Sequence, residues 1–274
     1  MEEGKISSCH PVVLPALIPD IKKVYDVYFT SFLNEKMARL MVNIIFPGGV
    51  MDSEDFRQNH TAGTLAYWHS ADSQYTFKCV DNHSGDVMGM ALGDILLRER
   101  PAEERKFTGI PWLDGEDRVR AEKVIGPLAE MREHLFAGAR HIYVHVIAVH
   151  PAYQRRGVGR ALIEWGIDLC DRSGLPIYLE SSPTTMPLYK KMGFVILKEK
   201  IVHKKDILGT EADIEVSLMV RMPSFADITF DEWRAQGYPD FERPAQASLM
   251  WPQVPIVGGL IQRIVKVITS FLHS

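Results

Sequence analysis

Between Val149 and Gly159 the chain reads V-H-P-A-Y-Q-R-R-G-V-G. The run before it, Ile142 to Val149 (I-Y-V-H-V-I-A-V), is apolar and predicts a strand that ends at His150-Pro151. The residues after it recur at helical spacing and predict a helix: Leu162, Trp165, Gly166, Leu169 and Cys170. A strand, a turn and a helix therefore follow one another directly.

The turn in this segment, residues 154–160, has the features of a phosphate-binding site, and we call it the phosphate turn. Gly157 and Gly159 lack side chains, so a phosphate group can approach their backbone N–H groups closely. These N–H groups lie at a helix N-terminus, where unpaired donors and the helix dipole favour an anion. Three arginines add positive charge at the same point: Arg155, Arg156 and Arg160.

Two other phosphate-binding motifs fit less well. The dinucleotide fingerprint requires a third glycine where this chain has Leu162, so a Rossmann site is disfavoured. A P-loop requires a Gly-Lys-Ser/Thr sequence, and none follows the turn.

The whole string Q-R-R-G-V-G, directly after a strand and Val-His-Pro, resembles the acyl-CoA signature Gln/Arg-x-x-Gly-x-Gly/Ala of the GNAT superfamily of N-acetyltransferases. The resemblance implies a layered α/β (α+β) fold, with a mixed, mostly antiparallel sheet, a splayed central strand pair and flanking helices. It also implies acetyl-CoA as cosubstrate, with pantetheine bonded to the backbone of Ile147, Ala148 and Val149. The implied pyrophosphate contacts are those of the phosphate turn: Gln154, Arg155, Arg156, Gly157, Val158, Gly159 and Arg160.

A second segment, Ser181 to Phe194 (S-S-P-T-T-M-P-L-Y-K-K-M-G-F), resembles the superfamily's other cofactor motif, Asn-x-x-Ala-x-x-x-Tyr-x-x-x-Gly-Phe. Tyr189 and Gly193-Phe194 match it, whereas Ser182 and Thr185 stand where Asn and Ala are frequent. The resemblance implies that Tyr189 donates a hydrogen bond to the departing thiolate and that Ser182 lies at the cofactor. The alternative for Tyr189 is an aromatic side chain buried on a short helix.

The strand before the phosphate turn supplies the candidate base. Strand alternation places His141, Tyr143 and His145 on one face. Histidine exchanges protons near neutral pH, so His145 can take the proton of the incoming ammonium directly or through water. The strand also resembles that of the arylalkylamine N-acetyltransferases, in which two histidines precede Leu-Ala-Val-His; here Tyr143 occupies the first histidine position. The alternative for His145, a half-buried histidine held by one hydrogen bond, is equally open.

Composition and charge limit the other functional classes. The chain has 274 residues, of which 46% are hydrophobic, so it can form one sizeable core. Its formal net charge of −4 argues against a nucleic-acid partner. Cys9, Cys79 and Cys170 are widely spaced and form no zinc pattern, so we expect no metal. The cysteine usage, with no evident secretory signal or membrane span, favours a cytoplasmic location.

The remaining patterns predict one acetyltransferase domain over residues 1–223. Besides Ile142–Val149, the predicted strands are His10–Leu14, Thr76–Val80, Val87–Leu97, Leu175–Leu179, Phe194–Val202 and Ile214–Met222. The other predicted helices are Ile21–Phe32, Met37–Phe46, Ala121–Phe136 and Thr184–Met192, and Arg98–Asp117 is predicted to be a loop.

Residues 224–274 form a predicted C-terminal extension. Phe225 to Pro255 shows no clear periodicity, whereas Gly258 to Ser274 predicts an amphipathic helix. We favour packing of this helix on protein over contact with a membrane surface, because Arg263 and Lys266 provide too little charge for strong attachment. The sequence does not fix the oligomeric state.

Together these features predict an acetyl-CoA-dependent N-acetyltransferase that transfers the acetyl group directly to a primary amine. A small-molecule acceptor is the favoured prediction, and acetylation of a protein lysine or N-terminus is the alternative within the enzyme class. A coenzyme-A-binding regulatory module without turnover is the alternative from another class. No motif identifies the acceptor, although Phe32–Met51 and His203–Glu211 are expected to shape its pocket.

Overall fold

A computed structural model describes residues 10–49, 53–70 and 73–241, apart from the side chains of residues 65–70. The strands are β1 (Pro11–Pro15), β2 (Gln74–Asp81), β3 (Val87–Leu96), β4 (His141–Val149), β5 (Ile177–Ser181), β6 (Val195–His203) and β7 (Ile214–Arg221). The helices are α1 (Ile21–Leu33), α2 (Lys36–Ile45), α3 (Glu54–Ser70), α4 (Ala102–Arg105), α5 (Gly115–Phe136), α6 (Val158–Ser173), α7 (Met186–Lys191), α8 (Lys205–Leu208) and α9 (Phe230–Ala235).

The described strands form a seven-stranded sheet in the order β1-β2-β3-β4-β5-β7-β6. β4 and β5 are parallel, and all other neighbours are antiparallel. The predicted mixed, mostly antiparallel sheet is therefore confirmed. β2 and β3 form an antiparallel hairpin, and β6 and β7 form a closing antiparallel pair, with β7 inserted between β5 and β6.

Helices cover both faces of the sheet, and β4 shows how its side chains divide between them. Ile142 and Val144 pack with Ile163 of α6 on one face. Tyr143 packs in a core that includes Phe136 of α5, on the opposite face. Further along β4, Ala148 joins the core formed with α1. The strand is thus buried on two sides, which explains its almost continuous apolar sequence.

Two sequence predictions about the helices were wrong. The predicted loop over Arg98–Asp117 contains α4 and the beginning of α5, which starts at Gly115 rather than at Ala121. Pro101 and Pro111 suggested a loop, yet each lies outside a helix, and Pro101 directly precedes α4. α3 was not predicted, because polar and apolar residues are not separated on its surface.

The first part of the predicted extension packs on the domain. Thr229 and Glu232 form a capping box at the start of α9, with reciprocal side-chain and backbone hydrogen bonds. This cap presents Phe230 and Trp233 to the core that contains Tyr143. The Trp233 indole N–H donates to the carbonyl of Pro239 at 2.9 Å. The predicted helix over Gly258–Ser274 lies outside the described residues.

None of the described helices is long and apolar enough to cross a membrane.

We predict that Trp233→Ala lowers the free energy of unfolding by about 3–5 kcal/mol, because the indole is only 3% exposed and its removal leaves a cavity. Urea denaturation measures this loss, with Val119→Ala on the exposed side of α5 as the control. If both substitutions changed the free energy of unfolding by the same small amount, residues 224–241 would not be part of the core. That result would support the predicted domain boundary at residue 223.

Candidate active site

The phosphate turn leads directly into a helix, α6, as the sequence predicted. Gly157 lies immediately before α6 with φ of +83°, a conformation that favours glycine. The first backbone hydrogen bond of α6 runs from Ala161 N–H to the Gly157 carbonyl, so the preceding N–H groups have no partner within the helix. Val158 is 1% exposed and anchors the turn in the core. The turn therefore presents backbone donors at a helix N-terminus, as an anion site requires.

The three arginines of this turn differ in their surroundings. Arg155 and Arg156 are exposed, and the Arg156 guanidinium lies 5.7 Å from the centre of the Tyr153 ring. Arg160 Nε donates to Glu164 at 2.7 Å in an exposed ion pair. Arg155 and Arg156 are consequently the better placed of the three to meet a phosphate.

The predicted splay between the central parallel strands is present. β4 and β5 pair only from Ile142 to Val144 on β4, which face Ile177 to Leu179 on β5. Beyond Val144, Ile147 to Val149 pair with β3 alone. The β5 side of this part of β4 is therefore open to another hydrogen-bonding chain, as bound pantetheine would require. The gap leads towards the phosphate turn, where Gln154 Nε2 lies 3.5 Å from the Val149 carbonyl.

A β-bulge on β4 places His145 at this gap. Leu92 of β3 pairs with Val146 and Gly93 pairs with Val144, so His145 is the extra residue. A Cβ atom at position 93 would lie 2.7 Å from the Tyr143 carbonyl oxygen, which explains the glycine there. The His145 side chain remains 28% exposed and is thus accessible from outside the sheet.

His145 forms a pair with an acidic residue that sequence reasoning missed. Its Nε2 lies 2.9 Å from Oδ2 of Asp94, which stands on the neighbouring strand β3. Burial raises the pKa of the Asp94 carboxyl, but the hydrogen bond and charge of His145, with the charges of Arg132 and Arg100, outweigh it and lower this pKa below its usual value. Asp94 therefore stays ionised and can stabilise an imidazolium ion.

Tyr143 lies on the same face as His145, as the strand alternation predicted. The two rings are 4.3 Å apart, and the Arg132 guanidinium lies 4.1 Å from the centre of the Tyr143 ring. Burial, with the nearby charge of Glu180, raises the pKa of the Tyr143 hydroxyl well above its usual value. Tyr143 consequently remains protonated and is suited to donate a hydrogen bond rather than to act as a base. His141, on the same face, is fully buried against Phe136.

Glu180 is a second acidic residue that the sequence analysis missed. It lies near the end of β5, where its carboxyl group is beside the hydroxyls of Tyr143 and Tyr178. Burial raises the pKa of this carboxyl, against the opposing effect of Arg132. Asp94 and Glu180 share a signal in the sequence, since each is a single charged residue inside an otherwise largely apolar strand.

Tyr189 lies on the other side of the sheet from His145. It packs in the core beneath α6, where its ring is 5.4 Å from Phe194, and it lines an apolar cavity with Val144 and Ile147. Burial raises the pKa of its hydroxyl to about 12, so the group stays protonated at neutral pH. The cavity lined by Tyr189 and the His145–Asp94 pair therefore lie on opposite faces of the sheet, where β4 separates from β5.

The predicted cofactor residue Ser182 belongs to the turn that leads into α7. Its hydroxyl oxygen lies 3.0 Å from the hydroxyls of Thr184 and Thr185. The Thr185 N–H donates to the same oxygen at 3.3 Å. Ser182 thus shapes the turn before Tyr189. Gly193 follows α7 with φ of +84°, the left-handed conformation in which glycine commonly ends a helix.

Comparisons with known proteins agree with this geometry. The sequence model of the acetyltransferase (GNAT) family matches residues 46–194, which include the phosphate turn, the splayed strands and Tyr189. The chain therefore belongs to the acetyltransferase (GNAT) family. The resemblance, the fold and the enzyme class predicted from the sequence are thereby confirmed.

Individual relatives support the same assignment. The chain is 31% identical to the probable acyltransferase SID5 of Ajellomyces capsulatus over 137 residues, which are 50% of this chain and 95% of that protein. Its fold is similar to that of arylalkylamine N-acetyltransferase 2 from Aedes aegypti, with a TM-score of 0.56 and 14% identity over 78% of this chain and 99% of that one. A histone acetyltransferase HPA2 and related acetyltransferase from Corynebacterium glutamicum gives a TM-score of 0.52 and 21% identity, over 80% and 99% of the two chains. At these identities the two structures show the shared fold.

We predict that Gly159→Glu nearly abolishes acetyl-CoA binding while the protein stays folded. A Cβ atom at position 159 meets Val149 only at an ordinary contact distance of 3.5 Å, so the fold should tolerate it, but the added carboxylate would repel the phosphates. Calorimetry measures the affinity, and Gly63→Glu in open space on α3 is the matched control. Unchanged affinity in folded Gly159→Glu would reject this cofactor site.

Proposed function

We propose that this protein transfers an acetyl group directly from acetyl-CoA to a primary amine of a small molecule. One observation carries the proposal: the gap between β4 and β5 has a phosphate turn at its end and proton-handling side chains on both sides. Acetyl-CoA supplies the activated acetyl group. The residues present fit it, since the β5 side of Ile147 to Val149 is unpaired and Gly157 has open space around it.

In the proposed reaction, His145 accepts a proton from the incoming ammonium, directly or through water. The free amine then attacks the thioester carbonyl, a C–N bond forms and the C–S bond breaks. The nitrogen releases its second proton to water, and water restores any proton that Tyr189 gives to the thiolate. Asp94, 2.9 Å from His145, stabilises the imidazolium that results. Tyr189 donates a hydrogen bond or its proton to the departing thiolate, and Tyr143 positions the His145 ring.

The described cysteines are poor candidates for an acyl-enzyme intermediate. Cys79 and Cys170 are both buried. Burial, with the charge of Asp171, raises the pKa of the Cys170 thiol to about 12, so the reactive thiolate is scarce at neutral pH. This supports direct transfer.

A small acceptor is supported by the cleft beside the proposed base. His145 and Asp94 line an open cleft of about 670 Å³, a volume comparable to that of small-molecule sites. Acetylation of a protein lysine or N-terminus remains the alternative acceptor class.

A cytoplasmic location also stays a prediction.

We predict that Tyr189→Phe lowers kcat by about 10- to 1,000-fold, near or below the usual contribution of an acid–base group. The affinity for acetyl-CoA should hardly change, because the ring and its packing are retained. A free-thiol assay under conditions where chemistry limits the rate measures kcat, with exposed Tyr75→Phe as the control. Full activity in Tyr189→Phe would end the proposed role.

We predict that His145→Ala lowers kcat/KM by about 100-fold or more for an alkylamine, which is protonated at neutral pH. The loss should be smaller for an aromatic amine, which is already neutral and needs no base before attack. Asp94→Asn keeps the shape of the side chain but removes its charge. It should also lower kcat/KM more for the alkylamine than for the aromatic amine, but by a smaller factor than His145→Ala. The acid limb of the pH profile for the alkylamine should weaken in both variants.

Lost packing would slow both amines alike, so the comparison separates a base from a structural histidine. Equal losses for the alkylamine and the aromatic amine, with the acid limb intact, would assign deprotonation to another group or to solvent. A chain that binds acetyl-CoA but acetylates no amine or protein would instead favour a regulatory module without turnover.

A further inference from the structure

The cleft beside His145 has a second set of functional groups, which the acetyl-transfer chemistry does not require. Its wall contains Arg98 and Arg100, which follow β3, and Arg132, which projects from α5. Glu104 of α4 lines the same cleft. The residues of α4 and α5 lie between β3 and β4 in the sequence, so this connection brings the arginines to the open side of the site.

Two of these arginines have no ion-pair partner among residues 10–49, 53–70 and 73–241. Arg98 is paired with Glu104 at 2.8 Å. Arg100 and Arg132 form no salt bridge within the described part of the chain, and Nε of Arg100 is buried there without a hydrogen-bond partner. A buried, unsatisfied guanidinium N–H is costly unless a ligand satisfies it.

The local charge balance favours an anion between these groups. Arg105, which lies nearby, is neutralised by its contact with Glu133. Asp94 is close enough to affect both unpaired arginines, but its carboxylate is bonded to His145. Burial and the neighbouring charge of Arg132 lower the pKa of Arg100, the effect expected of two cations held close together. A bound carboxylate would relieve this repulsion.

The position of Arg132 relates the cationic wall to the proposed base. Its guanidinium lies 4.1 Å from the centre of the Tyr143 ring, and the His145 ring lies 4.3 Å from the same ring. An acceptor whose carboxylate met Arg132 would therefore hold an amino group of the same small molecule near His145. Guanidinium groups bind carboxylates in a planar, two-point geometry that fixes orientation as well as position.

We propose that the acceptor is an amino acid, whose carboxylate binds Arg100 and Arg132 while its amino group faces His145. This inference rests on the proposed acetyl transfer, because it names the substrate class of that same site. The arginine pair acts as a specificity-determining element: it binds the carboxylate and orients the amine, and it takes no part in proton transfer.

The test compares each amine with and without its carboxylate. The full-length enzyme is assayed with the common amino acids and with their decarboxylated counterparts, for example lysine with cadaverine, histidine with histamine and tyrosine with tyramine. We expect at least one amino acid to have a kcat/KM about 10- to 100-fold above that of its decarboxylated partner, the range expected for charge-assisted hydrogen bonds. Calorimetry on the enzyme with coenzyme A measures binding of the same compounds independently of turnover.

The variants Arg100→Gln and Arg132→Gln should each remove this preference, because they raise KM for the amino acid by a larger factor than they lower kcat/KM for the decarboxylated amine. Arg118→Gln, on the same helix as Arg132 but in an exposed pair with Glu122, is the matched control. A variant that merely loses stability would reduce activity towards both members of a pair by the same factor.

The outcomes distinguish this inference from the proposed function. Acetylation of decarboxylated amines at least as efficiently as of amino acids would overturn the inference and leave acetyl transfer intact, as would equal effects of the variants on both compounds. Binding of amino acids that depends on Arg100 and Arg132, without any acetylation, would support the anion site and reject the proposed reaction. Absence of both binding and turnover would overturn both.

Discussion

The active-site geometry depends on one interruption of backbone pairing, the separation of β4 from β5 beyond Val144. A β-bulge lies at the point of this separation: His145 is one extra residue on β4, and it shifts the register of β4 against β3. Gly93 permits the bulge, since a side chain there would collide with the Tyr143 carbonyl. The backbone thus provides both the gap and the position of the proposed base.

The strand, turn and helix around the phosphate turn could be predicted because their signals are local. Gly157 lies in the left-handed region directly before α6, and Gly193 lies in the same region after α7. α3 could not be predicted, because its surface lacks a clear apolar stripe and it is held by packing against α1. The start of α5 at Gly115 was obscured by the prolines and charges that precede it.

The candidate functional residues also divide into those with local sequence signals and those whose partners come from distant parts of the chain. Tyr189 and the phosphate turn belong to continuous motifs, whereas the pair of His145 and Asp94 depends on the register of two strands. Alternation could place Tyr143 and His145 on one face, but it could not show which charged residues approach them from β3, β5 or α5. An isolated acidic residue in a buried strand, such as Asp94 or Glu180, was the signal available, since such a group needs a partner.

The two ends of the proposed site differ in how they would bind negative charge. At the phosphate turn, backbone N–H groups and the α6 dipole face solvent, where arginines such as Arg155 are exposed. In the cleft, Arg100 and Arg132 are partly buried, where a guanidinium interacts more strongly with a partner and suffers more without one. Asp94 lies nearby, but its bond to His145 keeps its charge at the proposed base. An acceptor carboxylate would therefore complete the charge balance of the cleft without displacing the group that stabilises the imidazolium.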